Sequence, residues 1–267
     1  NWKGNLFVFY NTEKDKQMEI FRKMSFADST GDAIPFYHEG KYHIFSLTSP
    51  PGTTVYPERL RTTWSHSISD DLVHWQELPT ALYPGEGDEP DASGVWTGSV
   101  IYGEGQYHAF YTGYCLTAEF QQTICHATSD DGITWTKDIA NPVITPMTEL
   151  YEKLDWRDPY VFYNEEDENY WILISARRLD MPVTRRGCIV LYRSKNLKDW
   201  TYYGPIYSPG HTNCPECPEM YKMGGHWYLS YSRFSEFVNT IYRVSESPFG
   251  PWRKPKKDGI GGRRFYA

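Results

Sequence analysis

The sequence predicts an all-β fold, a single five-bladed β-propeller of four-stranded antiparallel blades that extends over residues 1–267. A tryptophan that ends a polar turn recurs at Trp75, Trp135, Trp200 and Trp252, at intervals of 60, 65 and 52 residues. Aromatic residues make up 17% of the chain, beside 21 Gly and 18 Pro. Aromatic residues favour strands, and repeats of this length are typical of propeller blades.

The first repeat shows the plan of one blade. Strands are predicted over Ile34–His38 and Lys41–Phe45, on either side of the turn at Glu39-Gly40, and a third strand over Thr63–Ile68. The polar turn from Ser69 then leads to a Trp-ended fourth strand. Alternating apolar residues bounded by such turns are the signal for antiparallel strands.

The next three repeats follow the same plan. Their first strands are predicted over Ser99–Tyr102, Tyr160–Tyr163 and Met220–Met223, and their second strands over Gln106–Tyr111, Tyr170–Ile174 and His226–Tyr231. Residues 1 to 30, with the strand-like Leu6–Tyr10, and the tail Gly261–Ala267 are expected to supply parts of a fifth blade whose middle is missing. No linker or shift in composition divides the chain, so one domain is expected.

Charge and composition exclude several classes of partner. The 27 Lys and Arg residues against 34 Asp and Glu residues give a net charge of −7, which argues against nucleic acid. No apolar run approaches the roughly 18 residues that cross a membrane. Five scattered cysteines favour a reducing compartment and hence the cytoplasm, although a chain that begins with Asn leaves secretion open. The pair Cys214 and Cys217 lacks the further ligands of a zinc site, so we expect no metal ion.

Carboxylates stand at matching places when the repeats are aligned on their first strands. Asp32, Asp158 and Glu216 come just before the first strands of three blades, which line the central channel of a propeller. They are therefore expected to converge at one mouth of the channel. Glycoside hydrolysis needs two carboxyl groups, and a neighbouring anion raises the pKa of the one that acts as acid. Capping of turns or pairing with arginines is the alternative, but three acids in register favour catalysis.

The motifs around these acids resemble those of glycoside hydrolase family 32, the invertase, inulinase and levanase family. The motifs are Trp64–Trp75, Trp96–Ser99, Arg157-Asp158-Pro159 and Glu216-Cys217-Pro218-Glu219, and the resemblance runs from about Asp32 to Ala267. It implies that Asp32 is the nucleophile, that Asp158 holds sugar hydroxyls in the transition state, and that Glu216 is the general acid and then the base. It also implies retention of configuration and no cofactor.

Four residues are expected to bind the substrate. By the resemblance, Arg157 binds hydroxyls beside Asp158, and Trp96 and Ser99 lie in a segment that encloses the fructosyl ring. Trp64, next to a strand start, is expected to stack on a sugar. The expected substrate is an oligosaccharide or polysaccharide with non-reducing furanosyl units, and the protein is expected to be β-fructosidase-like.

Departures from the family pattern keep two alternatives open. Gly31 precedes Asp32, and Ala33-Ile34-Pro35 follows it, where family 32 has Asn before the acid and Asn-Gly after the proline. This stretch looks closer to family 43, whose arabinofuranosidases and xylosidases invert. There Asp32 would be a general base, Asp158 would tune the acid, and Glu216 would remain the acid. A carbohydrate-binding propeller without turnover is the second alternative. The sugar, the linkage, hydrolysis against transfer and the oligomeric state are not determined by the sequence.

Overall fold

The chain folds into a radial series of antiparallel sheets. The computed structural model describes residues 30–53, 55–233 and 238–261, in which fifteen strands form four sheets. Neighbouring strands in each sheet are consecutive in the chain, and the innermost strands β1, β5, β9 and β13 contact one another in that order. Across these described ranges, no helix is long and apolar enough to span a bilayer.

The strands of each blade have the following bounds. Blade 1 contains β1 (Thr30–His38), β2 (Lys41–Thr48), β3 (Thr63–Ser69) and β4 (Trp75–Leu82). Blade 2 contains β5 (Gly94–Gly103), β6 (Gln106–Tyr114), β7 (Gln122–Ser129) and β8 (Thr136–Lys137). Blade 3 contains β9 (Tyr151–Asn164), β10 (Asn169–Arg178), β11 (Gly187–Ser194) and β12 (Thr201–Tyr207). Blade 4 contains β13 (Glu216–Met223), β14 (His226–Arg233) and β15 (Asn239–Ser245), and Arg253 pairs with Val244 at the place of an outer strand.

The propeller architecture is confirmed, with two corrections. The described part of the chain holds four blades, one fewer than predicted. The segments expected to contribute to a fifth blade, Leu6–Tyr10 and the tail after Gly261, lie outside the described residues. The repeated tryptophan does not end the fourth strand: Trp75 is the first residue of β4, and Trp135 and Trp200 directly precede β8 and β12.

Tight turns join the first two strands of three blades. In blade 1, Glu39 and Gly40 have φ angles of 48° and 80°, and in blade 2, Glu104 and Gly105 have 51° and 84°. Two consecutive residues with positive φ are typical of the hairpin turn whose twist matches that of the flanking strands. These turns hold the register of the inner strands and hence the positions of their ends.

The hydrophobic core lies between the blades. One cluster joins blades 1 and 2, a second joins blades 2 and 3, and a third joins blades 3 and 4. The repeated tryptophans belong to these contacts: Trp135 of blade 2 packs edge-on against Phe45 of blade 1, and Trp200 of blade 3 packs in the same way against Phe110 of blade 2. These two tryptophans therefore contribute to packing between neighbouring blades.

Candidate active site

A β-bulge occurs at the same point of every inner strand. The extra residues are Asp32 in β1, Thr97 in β5, Asp158 and Pro159 in β9, and Cys217 and Pro218 in β13. Bulges redirect side chains and are frequent beside active sites. All of these residues line one central channel of about 190 Å³. The repeated bulge is therefore the backbone device that gathers the site at one end of the propeller.

The pairing of each inner strand with its neighbour corrects the predicted alignment of Asp32, Asp158 and Glu216. Asp32 and Asp158 occupy equivalent bulge positions, as predicted. Glu216 does not: its partner is Ser232, and it stands one residue before the bulge, at the position that Arg157 holds in blade 3. Arg157 and Glu216 are thus equivalent residues of adjacent blades, which explains why they meet.

Arg157 is the buried centre of the site. Its Nη2 donates to Oε1 of Glu216 at 2.8 Å, and its Nη1 donates to Oδ1 of Asp155 at 2.6 Å. Its Nε lies 3.6 Å from Oδ2 of Asp158. Burial acts against the charge of Arg157, but the surrounding acids raise its pKa far above the usual range. A permanently charged guanidinium therefore lies among three carboxyl groups.

The backbone around Asp158 is unusual. Asp158 and Cys217 have φ angles of 55° and 48°, in the left-handed region that residues with a side chain rarely adopt. The N–H of Cys217 donates to Oδ2 of Asp158 at 3.0 Å, and the N–H of Asp158 donates to the hydroxyl of Thr112 at 2.8 Å. The first bond joins the bulges of blades 3 and 4, and the second joins the bulge of blade 3 to β6 of blade 2.

Burial raises the pKa values of two of the acids. The pKa of Asp158 rises to about 7, chiefly by burial and further by the charges of Glu216 and Asp32, while Arg157 and the Cys217 N–H act in the opposite direction. The pKa of Glu216 is also raised, by burial first and then by Asp32 and Asp155, against the effect of Arg157. A raised pKa suits a carboxyl group that must donate a proton near neutral pH.

Asp32, in the bulge of blade 1, is partly exposed. Its Oδ2 accepts a hydrogen bond from the hydroxyl of Thr97, the equivalent bulge residue of blade 2. Thr97 was not predicted as a site residue. Its position beside Trp96 in the aligned repeats was the signal that could have identified it.

A cleft of about 390 Å³ opens over these residues. It is lined by Asp32, Asp158, Glu216, Arg157, Trp96 and Tyr56, with the smaller Thr97 and Cys217 and the apolar Leu47 and Leu60. Trp96 is half-buried: its indole N–H donates to the carbonyl of Leu60 at 3.0 Å, and its ring stacks on Tyr114. The cleft thus combines acids with an aromatic wall, as expected of a site for a sugar. Tyr56, in a long loop without a repeat, carried no sequence signal.

Two of the predicted substrate-binding residues have other partners. Trp64 is 0% exposed, and its indole N–H donates to the carbonyl of Trp96, so it has no face for a sugar and is corrected to a core residue that supports Trp96. The buried Ser99 hydroxyl donates to the carbonyl of Pro159 and accepts from the N–H of Val161, which joins β5 to β9. Its role in the structure is to hold the bulge of blade 3 rather than to face the cleft.

The described ranges contain no group of three His, Cys, Asp or Glu side chains that could hold a metal ion. The five cysteines are free thiols, including Cys214 and Cys217. The side chain of Arg177 is only 13% exposed and pairs with Glu152 and Asp155.

Comparison with known proteins places these residues in a family. The sequence model described as "Glycosyl hydrolases family 32 N-terminal domain" matches residues 32–250. A levanase of Bacillus subtilis is 33% identical over 198 residues, which is 70% of this chain and 26% of that protein. A raffinose invertase of Escherichia coli is 32% identical over 202 residues, 72% of this chain and 39% of that protein.

A solved structure gives the same relationship. The exo-inulinase of Aspergillus awamori superposes with a TM-score of 0.68 at 27% identity, covering 88% of this chain and 51% of that one. The chain thus spans about half or less of the length of these relatives. The match favours family 32 over the family 43 alternative, which had been kept open because of the residues around Asp32. The chain belongs to glycosyl hydrolase family 32.

Proposed function

We propose that the protein hydrolyses non-reducing furanosyl units of an oligosaccharide or polysaccharide, as a β-fructosidase with Asp32 as nucleophile and Glu216 as acid and base. The observation that carries the proposal is the cleft in which Asp32, Asp158 and Glu216 meet around Arg157. The matched relatives support it, since their names are levanase and raffinose invertase.

The geometry supports a two-step mechanism. In the first step Glu216 donates its proton to the glycosidic oxygen as that bond breaks, and an oxygen of Asp32 forms a bond to the sugar carbon. In the second step the ionised Glu216 takes a proton from water, whose oxygen replaces Asp32. Asp158 binds sugar hydroxyls, and Arg157 balances the charge that alternates between Asp32 and Glu216.

The surroundings of each acid suit its role. Asp32 is partly exposed and lines the cleft, and its Oδ2 accepts the Thr97 hydrogen bond, so its carboxyl group is accessible to a bound sugar. Burial raises the pKa of Glu216, which suits a carboxyl group that must donate a proton. Trp96 and Tyr56 supply an aromatic wall against which the apolar face of a sugar ring packs.

The proposal includes a fifth blade. Trp135 and Trp200 each pack against the preceding blade, whereas blade 1 has no preceding blade among the described residues, and its Trp75 is half-buried. Tyr37 of β1 is 58% exposed and Met223 of β13 is 57% exposed. A further blade between blades 4 and 1 would cover apolar surface of this kind.

The test measures the sugars released by the full protein from sucrose, inulin, levan, arabinan and xylo-oligosaccharides. We expect free fructose from the wild type and from Glu246→Gln, a control on the exposed rim of blade 4. Glu216→Gln should lower kcat by at least about 100-fold, because it removes the acid. Release of arabinose or xylose would contradict the fructosidase assignment. No release from any substrate, with retained sugar binding, would favour a binding protein.

A further inference from the structure

The guanidinium of Arg157 has two arms that face different acids. Nη2 donates to Glu216 and lies 3.4 Å from Sγ of Cys214, while Nη1 donates to Asp155 and to Oε1 of Gln122 at 3.2 Å. Because the guanidinium is planar and rigid, the partners of one arm determine where the other arm lies. The position of Arg157 against Glu216 therefore depends on what holds Nη1.

Asp155 is itself held from both sides. Its Oδ1 accepts from Arg157, and its Oδ2 accepts from Nη1 of Arg177 at 3.0 Å. Burial raises the pKa of Asp155, but the neighbouring Arg157 and Arg177 outweigh burial and lower it overall. Asp155 is thus a charged carboxylate at neutral pH, and both of its oxygens are in use.

A bulge in blade 3 creates this arrangement. Ala176 pairs with Trp156, and Arg178 pairs with Tyr151. The four residues 152–155 of β9 therefore lie opposite a single residue of β10, Arg177. The side chain of Arg177 reaches both Asp155 and Glu152, and Glu152 in turn pairs with Arg186. A line of alternating charges consequently extends from Glu216 through Arg157, Asp155, Arg177 and Glu152 to the loop between β10 and β11.

We propose that Asp155 is a positioning residue for the general acid: it fixes the Arg157 guanidinium so that a single arm reaches Glu216 while the other is held away. The inference rests on the proposed function and assigns a part in it to a residue outside the cleft, since Asp155 does not line that cavity. Asp155 also adds a negative charge near Glu216 that opposes the charge of Arg157.

Removing the charge of Asp155 has a defined direction. Without it, Nη1 is held less firmly, with the uncharged Gln122 as its remaining partner, so the guanidinium can turn more fully toward Glu216. The negative charge that opposed Arg157 is also lost. Both changes favour the ionised form of Glu216 and so lower its pKa. The other titratable groups around Glu216 are Asp32 of β1, Asp158 of β9, Cys214 and Cys217 of its own segment, and Tyr56 across the cleft, and none of them is altered.

The experiment compares kcat/KM against pH for sucrose hydrolysis by the full protein, its Asp155→Asn variant and the control Asp180→Asn. Asp180 is an exposed acid on the neighbouring loop that pairs with Arg178. The fall of kcat/KM on the basic side of this pH profile, its basic limb, reports the pKa of the acid that must be protonated. We expect Asp155→Asn to move this limb toward lower pH by roughly one unit, with about a tenfold loss of kcat at neutral pH. The control should leave the limb in place.

The outcomes separate the two proposals. A merely structural role would reduce the active fraction equally at every pH, so an active Asp155→Asn variant with an unmoved basic limb would overturn the role of Asp155 alone. A wild type without turnover on any sugar of the panel would overturn the proposed function and the inference with it. If Asp155→Asn does not fold, the pair Asp155→Glu and Asp155→Gln repeats the comparison between a charged and a neutral side chain of equal length.

Discussion

Burial and the charge of Arg157 act in opposite directions on the pKa of Asp158, and burial prevails. Arg157 and the N–H of Cys217 stabilise the carboxylate, yet removal from water raises its pKa to about 7. Folding thus raises the pKa of this one side chain from its ordinary value near 3.8 to about 7. A site residue therefore has a measurable effect on stability.

The sign of that effect is fixed by linkage. Below about pH 4 Asp158 is protonated in both states; as the pH rises toward 7, the unfolded chain loses the proton first, so the native state loses stability. Asp158→Asn carries no such proton. We expect its Tm, relative to that of the wild type, to rise between pH 4 and pH 8, measured by calorimetry at several pH values. A difference in Tm that is constant with pH would contradict the raised pKa.

At the level of elements, the polar turn between the third and fourth strands is built alike in blades 1, 2 and 3. In blade 2, Oδ1 of Asp131 accepts from the N–H groups of Ile133 and Thr134 at 2.8 and 2.7 Å, and from the hydroxyl of Ser129. In blade 3, Asn196 makes the same backbone contacts with Lys198 and Asp199. The side-chain oxygen, rather than the charge, is thus the shared feature.

This turn gives a prediction on stability. Asp131→Ala leaves two backbone N–H groups without their acceptor, which should cost about 1 kcal/mol and lower the Tm by roughly 2–4 °C. Asp131→Asn should retain most of the stability, because Asn196 performs the same task in blade 3. Alanine in place of the adjacent, exposed Asp130 is the matched control. Equal losses from Asp131→Ala and Asp130→Ala would show that the turn does not depend on this oxygen.

The elements also show what could be predicted from the sequence. The inner strands and the convergence of the acids followed from the spacing of the repeats, because a period of two and a repeated turn are local properties. The bulges could not be predicted in this way, because an extra residue in one strand is recognised only when the pairing with the neighbouring strand is known. For this reason Glu216 was placed level with Asp158, although it is level with Arg157.

Side-chain burial was the other property that local patterns could not provide. Trp64 and Trp96 both stand beside strand starts, but only the pairing of blades decides that Trp64 is enclosed and that Trp96 reaches the cleft. The contact of Asp155 with Arg157 had a weaker signal, since residues two apart share a face of a strand.

At the scale of the whole molecule, none of the described blades has a core of its own. Each hydrophobic cluster is shared by two neighbours, so a blade cannot lose its structure without exposing the face of the next. The positions of the acids, which come from blades 1, 3 and 4, therefore depend on packing between blades as much as on any single sheet.

This sharing predicts cooperative loss of structure. Leu173 is fully buried between blades 3 and 4, among Trp171 and Leu229. Leu173→Ala should cost about 2–5 kcal/mol, and hydrogen exchange should show faster opening of β10 and β14 together. Exchange that accelerates in blade 3 while blade 4 keeps its protection would show that the blades open independently.

The left-handed backbone at Asp158 and Cys217 has a consequence for laboratory evolution. Such conformations cost on the order of 1–3 kcal/mol each for residues with a side chain. Selection for heat resistance alone would favour Cys217→Gly, which relieves this cost, although the relaxed backbone would hold the amide less firmly against Asp158. Selection for turnover would keep the cysteine. Variants obtained under the two regimes should therefore diverge first at position 217.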